Sequence, residues 1–169
     1  LKTCGVDPST DLEPEYIAVS GGKAYVTLQE NNAIAVLDLA SRTFDGIYSA
    51  GFEDYSVTPI DIDKKDDAYA PRTYGSLMGI RMPDGIAAFQ VDGKTYLVTA
   101  NEGDAREWVD EDLGTFYLSE DEQDFGEEGV TSPTGAITGE NSGLEGKVVF
   151  FKVEDFDGLD SGKDYLFGG

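Results

Sequence analysis

The sequence predicts an all-β fold, part of a β-propeller built from antiparallel four-stranded blades with long acidic insertions. Three observations point there. Short runs rich in β-branched and aromatic residues alternate with Gly, Asn and Ser breaks, and amphipathic helical periodicity is nearly absent. A Gly-Lys hairpin motif recurs as Gly22-Lys23-Ala24-Tyr25-Val26, Gly93-Lys94-Thr95-Tyr96-Leu97 and Gly162-Lys163-Asp164-Tyr165-Leu166, at intervals of 71 and 69 residues. The text ahead of the first two copies also repeats, as Pro14-Glu15-Tyr16-Ile17-Ala18 and Pro83-Asp84-Gly85-Ile86-Ala87. Repeated sheet units of this kind stack as propeller blades, and blades of ~40–45 residues leave room for insertions at this spacing.

Taken in order, Glu15 to Val19, Lys23 to Leu28, Ala33 to Leu39 and Thr43 to Ser49 read as four strands of a meander, broken at Ser20-Gly21-Gly22, Gln29 to Asn32 and Ala40 to Arg42. Residues 14–50 thus make one complete blade. Phe52 to Met82 reads as an insertion rich in turn formers and acids. Residues 83–153 form a second blade, interrupted by another insertion from Glu107 to Leu144, and residues 147–169 begin a further blade. Inside the second insertion, Ser119 to Glu128 holds six acids and shows neither strand nor helix period, so it reads as a solvated, mobile segment that like charges keep extended. Trp108 and Phe116-Tyr117 read as packing that insertion onto the blade, the alternative being that they stack a ligand. Three hairpin copies cannot close a ring of four to eight blades, so sheet edges stay open unless the rest of the propeller or a neighbouring protein covers them.

Composition removes several function classes. The 169 residues carry 34 acidic and 12 basic side chains, a net charge of −22. Such a surface does not approach nucleic acid, which presents one phosphate charge every ~1.7 Å, and it is repelled by anionic membranes. With no His in the chain, Ser/His/Asp triads, His-ligated zinc and haem-type ligation are excluded. Apolar stretches such as Ala33 to Leu37 and Val148 to Phe151 fall far short of the ~18 residues of a spanning helix, so no transmembrane segment is predicted. Cys4 is the single cysteine, either a lone thiol or half of a disulfide to a partner outside these residues. The chain opens Leu1-Lys2-Thr3-Cys4, without an initiator Met or a signal-peptide pattern, and stops directly after a predicted strand, which reads as a fragment or processed product. No Walker loop, GxGxxG or GxSxG pattern occurs.

On a blade scaffold, Glu13, Glu15 and Asp84 fall in loops that enter innermost strands, and Glu30, Glu102 and Asp104 in loops that leave second strands. Both kinds of loop open on one face, so these acids converge around one mouth of the channel. Crowded carboxylates raise one another's pKa values unless a cation compensates, and calcium, with six to eight oxygen ligands, suits a chain that offers carboxylates and amides but no imidazole. Asn31, Asn32 and Asn101 add neutral oxygens. The competing reading is that these acids cap turns and face water. Asp155, Asp157 and Asp160 sit in an Asp/Gly-rich run that either wraps an ion or forms a plain solvated hairpin; it lacks the EF-hand spacing. Asp61 to Asp67 is a further acidic loop, partly neutralised by Lys64 and Lys65. For phosphate, Arg106 is the first candidate, with Arg72 and Arg81 behind it; the blander role for Arg106 is an ion pair with Glu102 or Asp104.

Three long phrases carry a family resemblance: Asp11 to Val19 (DLEPEYIAV), Tyr25 to Val36 (YVTLQENNAIAV) and Tyr96 to Glu107 (YLVTANEGDARE). They resemble the mesenchyme-specific cell-surface glycoprotein family, whose bacterial relatives are the choice-of-anchor I proteins, with gaps from about Asp11 to Gly169. The resemblance implies an extracellular or surface-anchored β-propeller, with some relatives associated with calcium mineral and others labelled alkaline-phosphatase-like. Where the family has an Asp-rich stretch with adjacent Gly and Asn, this chain departs, carrying Asp61-Ile62-Asp63-Lys64-Lys65-Asp66-Asp67-Ala68-Tyr69. The reading is therefore an extracellular calcium-binding surface module, with divalent cations as its partners and a binding or structural role. The alternatives are a metal-dependent phosphoesterase and an accessory subunit docked in a larger assembly.

Overall fold

The computed structural model describes residues 12–62, 68–104, 107–110, 115–118, 120–125, 127–144, 146–153 and 159–169. Strands β1 (Pro14–Ser20), β2 (Lys23–Leu28), β3 (Ala33–Asp38) and β4 (Thr43–Ser49) form one antiparallel sheet in chain order. They are followed by β5 (Phe52–Asp54), β6 (Leu77–Ile80), β7 (Pro83–Val91), β8 (Lys94–Asn101), β9 (Glu107–Asp110), β10 (Thr115–Leu118), β11 (Glu120–Asp124), the single helical turn α1 (Gly139–Ser142), β12 (Lys147–Phe151) and β13 (Asp164–Phe167). Among the described residues no helix is long and apolar enough to cross a membrane.

The first two copies of the textual repeat fold alike. Gly21 and Gly22 take φ of 58° and 78°, the left-handed pair that a two-residue type I′ turn demands, and Ser20 stands opposite Lys23 across it. Asp92 and Gly93 repeat the turn at 50° and 74°, with Val91 opposite Lys94. Both hairpins also open with the same irregularity: the register slips between Pro14 and Ile17 in β1 and between Pro83 and Ile86 in β7. Proline has no N–H for the ladder, which confines it to a strand's first residue or to a bulge. In the first hairpin the buried hydroxyl of Thr27 satisfies the displaced backbone, accepting from Tyr16 N–H at 3.0 Å and donating to the Tyr16 carbonyl at 3.4 Å. In the second hairpin the corresponding neighbours are Gly85 and Ala100. The two hairpins lie side by side, β1 against β7, with Ser20 Oγ 3.4 Å from Thr95 Oγ1.

A five-stranded sheet ordered β11-β12-β13-β6-β5 forms the other half of the molecule. Its β13 runs parallel to β6, pairing from Asp164 opposite Leu77 to Phe167 opposite Ile80, while the other neighbours are antiparallel. Leu77 and Phe150 are fully buried there, among Tyr55, Tyr74, Phe125 and Val148, and Phe125 meets Phe150 edge-on at 6.3 Å. Burying side chains of this size contributes ~1.5–3 kcal/mol each. At the start of β13 stands Asp164, wholly buried and yet charged in type. It accepts from Ser76 Oγ at 3.1 Å, Ser132 Oγ at 2.8 Å, Thr134 N at 2.9 Å and Thr134 Oγ1 at 2.8 Å. One carboxylate thus ties β13 to the loop before β6 and to the 131–138 segment.

The all-β class and the antiparallel sheets are as the sequence predicts, and the sheets described do not close into a propeller. The insertions are not loops alone. Phe52 to Met82 supplies β5 and β6, because Leu77 and Ile80 bury themselves beside β13 through a parallel pairing made only in the folded chain. Ser119 to Glu128, read as a solvated segment, contains β11, paired with β12 from Glu120 opposite Phe151 to Asp124 opposite Lys147. Its charges suit an edge strand, where they discourage pairing with other chains, and Glu122 meets Lys147 at 2.6 Å. Strands between 83 and 153 do not share one sheet: β7-β8 and β9-β10 are separate pairs, and β12 joins the five-stranded sheet. The third Gly-Lys copy also differs, since Asp160 builds its turn by accepting from Gly162 N at 2.8 Å and Lys163 N at 3.0 Å.

Replacing Asp164 by Ala strands two hydroxyls and a backbone N–H in the interior, with Ser76 left to find another partner. The expected loss is roughly 2–4 kcal/mol of unfolding free energy, and Asp164→Asn, which keeps an acceptor for Thr134 N, should lose about half as much. Urea unfolding followed by circular dichroism measures both.

Candidate metal-binding face

Hairpin geometry sends the acids to one end. Pro14 stands opposite Leu28 and Pro83 opposite Asn101, at the ends away from the Gly-containing turns. Glu13 and Glu15 therefore adjoin the strand end that leads into Glu30, and Asp84 adjoins the one that leads into Glu102 and Asp104. Side-by-side packing of β1 and β7 brings the two ends together, and Gln29 Nε2 reaches Glu102 Oε2 at 3.5 Å across 73 residues of sequence. Gln29 is 3 % exposed; the sequence reading passed over it, although it matches Glu102 in the repeat and so marks where the copies meet.

Glu30 is the buried member of this group, 7 % exposed, whereas Glu13, Glu15, Glu102 and Asp104 are exposed and Asp84 is half-buried. Burial pushes the Glu30 carboxyl up from 4.5 to about 7; a backbone hydrogen bond within the residue pulls it down, and the negative charges of Glu13, Glu15 and Asp104 push it up again. Carboxylates remote in sequence thus act on one another through space. Asp61 joins them: it lines a cleft of about 330 Å³ together with Glu102, Asp104, Lys147 and Gly168, and its Oδ2 accepts from Ala70 N at 2.8 Å. The sequence treated the Asp61 loop as a separate candidate; residues 63–67 of it lie outside the described structure.

Two of the three amides, Asn32 and Asn101, serve the fold. Asn32, at φ 48°, donates from Nδ2 to Gly51 O at 3.0 Å and accepts at Oδ1 from Met82 N at 3.0 Å, which pins the β2–β3 turn to both flanking chains. Asn101 donates to Gly169 O at 2.9 Å and accepts from Thr99 Oγ1 at 2.9 Å. Asp160 is occupied in its own turn and is not among the converging acids, while Asp155, Asp157, Arg106 and Cys4 lie outside the described residues. Arg72 Nη1 donates to the Ser142 carbonyl, and Arg81 binds Ala50 O at 3.0 Å and Glu53 Oε2 at 3.2 Å. Both guanidinium groups therefore anchor loops.

The face offers hard oxygen donors in a strongly negative field, the chemistry that attracts divalent cations with oxygen preference. Among the described residues, no three acidic side chains stand close enough to form a ready-made cage for an ion. Fold and face together define an all-β module with an acidic end. A family model for the Choice-of-anchor I domain matches residues 2–169, and the chain belongs to that family. The family name points to a surface-associated module; the match lends no support to the mesenchyme-glycoprotein or alkaline-phosphatase-like associations of the resemblance. No curated protein and no solved structure matches the chain.

The Glu30 shift sets a pH dependence for the metal-free protein. Below about pH 4.5 the group is protonated folded and unfolded, with no penalty; as pH rises to about 7 the unfolded chain ionises first, so native stability falls across that window. Thermal melts in chelator should therefore show Tm declining from pH 4.5 to pH 7. Glu30→Gln should flatten the decline and melt higher than the parent at neutral pH.

Proposed function

We propose that this chain is a calcium-binding module of a surface-anchored β-propeller, with a binding or structural role. The observation that supports the reading is the gathering of Glu13, Glu15 and Asp104 around the buried Glu30, with Glu102 tied in through Gln29. Like charges held at one end of a chain of net charge −22 cost free energy that a bound cation offsets. Oxygen-only donors select calcium over zinc or copper, and exposure of most of the acids fits the millimolar affinities of extracellular modules. Small rearrangements of exposed side chains complete the coordination. Glu13, Glu15 and Asp104 are exposed carboxylates whose charges act on Glu30, and Asp84 adds a donor at the neighbouring strand end.

A cation bound only by the folded state raises its stability by RT ln(1 + [L]/Kd), about 1.4 kcal/mol at ten times Kd. Calcium titrated from 0.1 to ~10 mM, the range of such modules, should raise Tm by several degrees. Asp104→Asn and Glu15→Gln should each cut the rise by at least about half. No response to calcium over that range sinks the proposal. Hydrolysis of p-nitrophenyl phosphate by the calcium-loaded chain, lost in Asp104→Asn, would replace it with the phosphoesterase reading.

One observation favours docking within a larger β assembly as a second role. Ala87, Phe89, Val91, Tyr96, Val98 and Ala100 are all exposed on the face of β7-β8 turned away from β1, and the rings of Phe89 and Tyr96 stack at 5.6 Å. The repeat supplies the occupant: a further apolar sheet standing to β7-β8 as β7-β8 stands to β1-β2. Left uncovered, this face should bind the dye ANS, and the double variant Phe89→Ser/Tyr96→Ser should lose most of that signal with the fold retained. An unchanged signal counts against the docking role.

A further inference from the structure

A cleft of about 280 Å³ opens where the first sheet meets the five-stranded one. Ile47 of β4, Phe52 of β5, Ile80 of β6, Phe151 of β12 and Leu159 give it an apolar lining, and Glu30 enters the same lining from the β2–β3 turn. Phe151 and Ile80 are each 3 % exposed and belong to a packed cluster with Met82 and Tyr165, so two walls are rigid core. Ile47 is 48 % exposed and stands at the solvent side. Asn31, Asn32 and Ser49 add polar groups to the described lining; mainly apolar concavities with a few polar groups in the wall are the usual form of small-molecule sites, and the volume lies just under their ~300–1,000 Å³ range. One aromatic ring with a short arm fills such a space.

Charge selects the class of ligand. A net charge of −22 enriches cations near the surface and repels anions, so an apolar carboxylate or phosphate is turned away before it reaches the cleft. A protonated amine is drawn in, and among the described residues Glu30 is the one acid of the lining to receive it. We propose that this cleft binds a small apolar amine, with its hydrocarbon body against Ile47, Phe52, Ile80 and Phe151 and its ammonium on Glu30. The inference shares Glu30 with the calcium reading but needs no metal, so the experiment is run in chelator.

The probe is 2-phenylethylamine, with phenylacetate as its anionic counterpart of similar shape, titrated into the full chain and followed by methyl NMR of Ile47, Ile80 and Leu159. The expected result is saturable shifts at those methyls with millimolar amine, and at least about tenfold weaker binding of phenylacetate. Glu30→Gln should weaken the amine by about tenfold or more, the scale of one charge-assisted hydrogen bond. Ile47→Trp fills the cleft from its exposed side; it should abolish the shifts of Ile80 and Leu159 while leaving the calcium-induced rise in Tm as in the parent. The inference is overturned by equal binding of the amine and phenylacetate, by amine affinity unchanged in Glu30→Gln, by binding that survives Ile47→Trp, or by no shifts at all. A failure of the calcium melts leaves each of these outcomes readable.

Discussion

Everything at the acidic end depends on one packing relation, the side-by-side placement of two hairpins of the same design. Each hairpin alone sends its Pro-acid entry and its post-strand acid to the end away from its tight turn, because antiparallel pairing puts Pro14 beside Leu28 and Pro83 beside Asn101. Within the first copy alone, Glu13 and Glu15 already act on Glu30. Contact of β1 with β7 adds the field of Asp104 to those of Glu13 and Glu15 at Glu30 and brings Gln29 within reach of Glu102. The register also slips after each proline, at the acid that follows it, and bulges are over-represented beside sites.

Local chemistry made the first sheet and the second hairpin legible. Gly21-Gly22 and Asp92-Gly93 are the residue pairs a type I′ turn needs, and alternation in Lys23 to Leu28 and Ala33 to Asp38 sets which face carries Leu28, Ala33 and Ala35. Non-local chemistry was not legible. Nothing in Leu77 to Ile80 announces a parallel partner 87 residues later, and a parallel register is fixed by burial of both faces rather than by a turn. The acids of β11 hid a strand because charge on an edge is a matter of solubility, not of pairing. Asp164 hid for the opposite reason: it looked like one more acid in an acidic run, and its role depends on Ser76, Ser132 and Thr134, which only the fold collects.

The third Gly-Lys copy shows how far a repeat can be trusted. Gly162-Lys163-Asp164-Tyr165-Leu166 matches the earlier copies residue for residue at Gly, Lys and Tyr, yet its strand takes a parallel neighbour. The difference lies upstream. The first two copies have left-handed pairs at the turn, whereas Asp160 folds the third through its own carboxylate, and the buried Asp164 then holds the strand against loops the other copies lack. A motif therefore transfers a turn only with the residues that set its dihedrals.

Among the acids at this end Glu30 has a distinct physical position. Exposed carboxylates such as Glu15 and Glu102 keep much of their hydration and bind cations weakly on their own. Glu30 is buried, so its charge is costly there; a backbone hydrogen bond offsets part of that cost, and a proton, a metal ion or an organic cation offsets more. With the carboxyl pushed up to about 7, the protonated form persists into the neutral range. Any cation that engages Glu30 must displace that proton, which makes its affinity rise with pH through the neutral range. Calcium from the acidic face and an amine from the apolar cleft would then compete for one buried charge, and occupancy of either would read out at the other.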